Sequence, residues 1–193
     1  MEPNTAIIDI ETLSTKESAV VVTVSAFKFD RFANNAQTEF ASHDNELHMH
    51  LDVADQLIHG RTTNAETCKW WRKQSAEALS ELRSNDLPFL ACDALEQLAE
   101  FIHGCQLFSR GTDFDFKILG HMYRTNGIKT PWKYNQVRDV RTYIDAFTGG
   151  NIGYVENFET PDWMTSHNSL HDCYRDAMQM VKARVDFIDS VLD

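Results

Sequence analysis

The hydrophobic positions of this chain fall into short alternating runs at the start and helical periods later. Residues 6–11, AIIDIE, read as a strand, and 18–29, SAVVVTVSAFKF, as a second strand rich in β-branched residues. In ELHMHLDV (46–53), Leu47, Met49, Leu51 and Val53 alternate with Glu46, His48, His50 and Asp52, which predicts a third, half-exposed strand. Short connections among the three suggest an antiparallel meander. The pattern then turns helical. NAETCKWWRKQ opens on the cap residue Asn64, and DALEQLAEFIHG spaces Ala94, Leu95, Leu98 and Ile102 along one face before Gly104. QLFSR reads as a fourth strand, Thr112 to Asn126 as a helix stopped by Gly127, and NQVRDV as a fifth strand. A last helix over about 169–191 places Cys173, Ala177, Met180, Val181, Phe187, Ile188 and Val191 on one side. This order predicts an α/β fold: a five-stranded mixed sheet flanked by α-helices.

Length changes that picture little. The 193 residues suffice for one substantial core, so a single domain over 1–193 is expected. No apolar run approaches the ~20 residues of a membrane span, and the first residues lack the basic and apolar regions of a signal peptide. Cys68, Cys92, Cys105 and Cys173 form no CxxC pair, which fits reduced thiols in a cytoplasm. The net charge of −11 argues against a protein that coats nucleic acid. Two bound divalent cations would leave −7, however, and the stretch from Ser109 to Thr142 is net +4.

Charge placed inside the apolar pattern is the informative feature. Asp9 and Glu11 project from one face of the first strand, where like charges repel unless a cation lies between them. Asp115 falls in the first turn of a helix, a position that also suits simple capping, with Thr112 or Asp113 as the cap. In SHNSLHDCYRDA, a histidine and an acid five residues apart occur twice, as His167 with Asp172 and as His171 with Asp176. Spacing alone does not choose between these registers. His43, His48 and His50 invite a metal reading too, but strand alternation on an exposed face accounts for His48 and His50 more simply.

Taken in order, D-x-E on the first strand, F-D at a middle helix and H-x-x-x-x-D on the last helix resemble the DEDD exonuclease superfamily, in its subclass with a motif histidine (DEDDh). The resemblance is closest to the group holding the T-even phage exonuclease A and the Rv2179c-like exoribonucleases. It rests on IIDIET, WWRKQS, RGTDFDFKIL, RDVRT and HNSLHDCYRDA. It implies a ribonuclease H-like fold and metal-dependent 3′–5′ exonuclease hydrolysis that releases nucleoside monophosphates. Asp9, Glu11, Asp115 and Asp176 are then the metal-binding acids and His171 the general base, with Mg²⁺ or Mn²⁺ as the two ions. It further implies single-stranded DNA or RNA 3′ ends as substrate, DNA slightly favoured, a bacterial or phage-infected cytoplasm, and a possible homodimer. Thr12, Leu13, Arg110, Phe116 and Arg141 are candidate substrate contacts, Phe116 by stacking on a base. Trp70 and Trp71 match the group but suit packing equally well. The competing readings are a non-catalytic binding module of the same fold, which has no need to gather like charges, and a structure-selective endonuclease.

Overall fold

The computed structural model describes residues 3–34, 43–83 and 87–192, and the side chain of His43 lies outside the described residues. Strand β1 (Thr5–Thr12) pairs antiparallel with β2 (Val21–Phe29), and β2 antiparallel with β3 (Glu46–His50). Strands β4 (Gln106–Ser109) and β5 (Val137–Asp139) continue the sheet in parallel with β1, giving the order β3-β2-β1-β4-β5. The meander and the two later strands therefore meet on opposite edges of β1. This leaves β1 central, and its apolar residues are accordingly buried on both faces.

Alternation along β1 divides the core in two. Ala6, Ile8 and Ile10 join α4 (Ala91–Phe101) and α5 (Asp115–Thr125) through Leu95, Leu98, Ile118 and Leu119. Ile7 faces the other side with Phe27, Phe29 and Phe108, under α6 (Val140–Thr148) and α7 (Ser169–Leu192). Asp9 and Glu11 continue the odd-numbered face and so point toward the start of α7.

Local details depart from the expected outline. The third strand ends at His50 because Asp52 accepts a bond from the Asp55 amide and caps α1 (Val53–Ile58). Asn64 does cap α2 (Ala65–Trp71), accepting from the Glu66 and Thr67 amides. Helix α5 starts at Asp115 rather than at Thr112. A turn on Gly111 (φ +121°) takes the Phe114 and Asp115 amides to the Gly111 carbonyl first, so neither Thr112 nor Asp113 caps the helix. Two short helices, α3 (Ala76–Ser80) and α6, follow caps at Ser75 and Asp139. The apolar side of α7 is buried from Cys173 to Val181, but Phe187 and Val191 are exposed.

Candidate active site

Asp9 and Glu11 stand at the C-terminal half of β1, opposite Ser25 and Thr23 of β2, with a register shift just after Glu11. Asp115 reaches the same place from the N-terminus of α5, and Asp172 and Asp176 from the first two turns of α7. Five carboxylates thus converge. Burial pushes Asp9 well above the usual carboxylate range, and the charges of Asp115, Glu11, Asp172 and Asp176 raise it further. Burial likewise lifts Glu11 to about 9 and Asp115 to about 7. Without added positive charge such a group resists ionisation as a set. Hard carboxylate oxygens that repel one another in a half-buried cleft fit divalent Mg²⁺ or Mn²⁺.

The structure separates the two histidine registers. Ligand atoms of Glu11, His167 and Asp172 all lie within 4.8 Å of one another. His167 precedes α7 with a left-handed backbone, φ +64°, a conformation that costs of order 1–3 kcal/mol in a residue with a β-carbon. Packing holds it there: its ring meets Trp70 edge-on at 4.8 Å and Trp71 at 6.2 Å. His171 and Asp176 have other partners. Nδ1 of His171 accepts the Thr165 amide at 2.9 Å, and the ring packs among Trp163 and Tyr174, where burial lowers its pKa. Asp176 is buried one turn along α7, and both its oxygens accept from Arg110 Nε at 2.9 and 3.1 Å. Of the expected pair, Asp176 belongs to the carboxylate group, its charge raising Asp9 and Asp115, while the His171 ring faces Trp163 and Tyr174. Both acids of α7 are held by arginine, Asp176 by Arg110 and Asp172 by Arg175 at 2.7 Å.

Other expected contacts also change role. Phe116 is 6% exposed and packs edge-on against Trp132 in the core, so it is not a base-stacking surface. Its neighbour Phe114 lines the cleft instead. Arg110 is not available to phosphate: it binds Asp176, donates to the Gly153 carbonyl at 2.7 Å and covers the Tyr154 ring. Arg141 lies beside Asp139 at 3.9 Å, half exposed. Thr12 lines the cleft, but its carbonyl accepts Trp71 Nε1–H at 2.9 Å, while the Leu13 carbonyl accepts the Asn64 amide. These two bonds fasten α2 to the end of β1.

The cleft beside Glu11 has a volume of about 810 Å³. Its far wall is α2 and the residues just after it, which present Lys69, Trp70, Arg72 and Lys73 opposite Thr12 and Phe114. The basic wall therefore comes from KWWRK, not from the positively charged stretch between Ser109 and Thr142. Local charge density in a five-residue window carried that signal, whereas a sum over a longer segment hid it. Among the described residues, no helix is long and apolar enough to cross a membrane.

Comparison with known proteins agrees with this architecture. The model of the Rv2179c-like 3′–5′ exoribonuclease domain matches residues 4–183. An exodeoxyribonuclease of Enterobacteria phage T4 is 27% identical over 198 residues, covering 90% of this chain and 86% of that protein. The nuclease domain of 3′hExo, a DEDDh family member bound to rAMP, superposes with a TM-score of 0.61 at 10% identity, covering 98% of this chain and 93% of that one. Exonuclease I of E. coli in complex with a dA16 oligonucleotide gives 0.61 at 14% identity, covering 97% of this chain and 42% of that one. The two structures share the ribonuclease H-like fold with this chain. With its carboxylate centre and the family match over nearly its whole length, the chain belongs to the Rv2179c-like family and is a 3′–5′ exonuclease of the DEDDh kind.

Proposed function

We propose that the chain removes nucleotides one at a time from single-stranded 3′ ends, DNA ahead of RNA, with Asp9, Glu11, Asp115 and Asp172 as the metal-holding acids and His167 as the general base. The observation that carries this assignment is the meeting of Glu11, His167 and Asp172 ligand atoms within 4.8 Å. A pair of Mg²⁺ or Mn²⁺ ions, when bound, would stabilise the charge developing on the scissile phosphate and on the leaving 3′ oxygen. The protein supplies the rest. Carboxylates from three separate elements would hold the ions, and through them orient the phosphate. His167, fixed between Trp70 and the acids, takes the proton from the attacking water. Arg175, bonded to Asp172 at 2.7 Å, holds that carboxylate in place from behind.

The cleft supports a single strand. Trp70, 42% exposed, and Phe114 offer faces for unpaired bases, and Lys69, Arg72 and Lys73 offer charge to the backbone. The T4 relative is an exodeoxyribonuclease, which favours DNA, and its source favours a phage-infected or bacterial cytoplasm as the setting. The test uses 5′-labelled DNA and RNA oligomers with Mg²⁺ or Mn²⁺. A ladder shortening from the 3′ end, faster on DNA, with circular single strands untouched, is the expected result. Cleavage of the circle would overturn the exonuclease reading, and a faster RNA ladder would overturn the DNA preference alone.

A further inference from the structure

Beside α7's first turn, a second group of ligating side chains adjoins the carboxylate centre and shares no residue with it. His48 and His50 project from the same face of β3, their rings edge to face at 4.9 Å. That face is not open to solvent as alternation suggests. It meets Glu81, whose side chain is 3% exposed and whose carboxylate has been drawn into the protein between β3 and α7. One ligand atom from each of His48, His50 and Glu81 falls within 4.8 Å of the others.

The hydrogen bonds fix what these atoms present. Glu81 Oε1 accepts from the Ser169 hydroxyl at 2.9 Å and the Ser169 amide at 3.2 Å, and Oε2 accepts from Asn168 Nδ2 at 2.7 Å. The Ser169 hydroxyl also lies 3.0 Å from the Thr23 hydroxyl, but the carboxylate is the stronger acceptor, and with its proton there Ser169 receives the Ser25 hydroxyl, 2.7 Å away. The Ser25 oxygen, its own proton committed, accepts from Nδ1 of His48 at 2.7 Å. Run in that direction, the chain leaves Nε2 of His48 as a bare lone pair facing Oε2 of Glu81 at 3.9 Å. That separation exceeds a hydrogen bond, and two acceptors face each other across it.

We infer that His48, His50 and Glu81 form a second metal site, for Zn²⁺ or a similar transition ion, distinct from the catalytic carboxylates. Two imidazoles and one carboxylate suit zinc and leave a fourth position for water. Ligands ~2.0–2.1 Å from a tetrahedral zinc stand ~3.3 Å apart, so the 3.9 Å gap closes with a small rotation of the side chains. The Ser25 hydroxyl behind Nδ1 is the outer partner that a ligating histidine requires. His50 is steadied in the same way, its Nε2–H donating to the Glu81 carbonyl at 3.1 Å.

The test measures Zn²⁺ retained at equilibrium in saturating Mg²⁺, which keeps the carboxylate centre occupied. Full-length wild type and Asp9→Asn are expected to hold one ion each. In His48→Ala and His50→Ala, folded by circular dichroism, that ion is lost, and in Ser25→Ala its affinity falls about 10–100-fold. Co²⁺ in place of Zn²⁺ is expected to give the visible absorption of a tetrahedral nitrogen-ligated site, absent in both histidine variants. Zinc retained by His48→Ala and His50→Ala, zinc lost in Asp9→Asn, or none held by wild type would each overturn the inference. None of these outcomes depends on whether the chain degrades nucleic acid.

Discussion

At the scale of single residues, the proposed general base is separated from its alternative by one turn of helix. His167 and His171 occupy equivalent places in the repeated spacing H-x-x-x-x-D, yet it is His167 whose ligand atom falls within 4.8 Å of those of Glu11 and Asp172. Two substitutions separate them. His167→Asn, which tolerates the left-handed backbone, is expected to lower kcat by about 10²–10⁴-fold, with Mn²⁺ binding unchanged by calorimetry. His171→Ala is expected to leave kcat near that of wild type and to lose only the bond to the Thr165 amide, about 1 kcal/mol of stability by denaturant titration. The opposite ranking of rates would return the general base to His171. Asp176 is argued at the same scale. Its pair with Arg110 is almost fully buried, at 3% and 8% side-chain exposure, so removing Arg110 leaves the carboxylate only the longer contact to Arg175 Nε at 3.7 Å. Arg110→Ala is expected to cost about 3–5 kcal/mol in urea denaturation, more than any loss expected from a surface pair.

At the scale of elements, α2 is the brace of the site. It hangs from the end of β1 by the Asn64 amide on Leu13 and the Trp71 indole on Thr12, and from there its tryptophans hold His167. Trp71→Phe keeps the ring in the core but deletes the indole donor. The expected loss is about 0.5–1.5 kcal/mol of stability, together with a fall in kcat larger than any rise in KM, because strand-end geometry rather than the outer cleft is disturbed. A variant with normal kcat would mean that α2 merely covers the sheet. Much of this was legible in the chain. Alternating and periodic runs marked all five strands and the long helices, since burial of one face imposes those periods. The D-x-E pair identified the centre because only a cation makes it tolerable. What the chain concealed were features set by contact. Helix α6 is a nine-residue element whose cap, Asp139, doubles as the end of β5. Helix α1 was hidden because Leu51 and Val53 prolong a strand period that the Asp52 cap interrupts. Phe114 and Phe116 look alike in sequence, and only the later start of α5 turns the first toward the cleft and the second into the core.

At the scale of the whole molecule, a chain of net charge −11 has gathered five acids at one end of its sheet, and this couples folding to pH and to metal. In the metal-free native state Glu11 holds its proton to about pH 9 and Asp115 to about 7, against ordinary values of 4.5 and 3.8. Between those limits the native state binds more protons than the unfolded chain. Its stability must therefore fall as pH rises, because proton release favours unfolding there. The contribution is fully present below about pH 4 and is lost progressively up to about pH 9. Divalent ions reverse this, since they bind the deprotonated carboxylates and gain affinity as the competing protons leave. Thermal unfolding in EDTA is thus expected to show Tm declining from pH 5.5 to 9. In saturating Mg²⁺ the decline should flatten, so that the stabilisation by metal grows with pH, and Asp9→Asn should shrink that gain. A metal-free Tm that is flat or rises over this range would mean that the acids ionise without cost, and the case for a cation-filled centre would lose its physical basis.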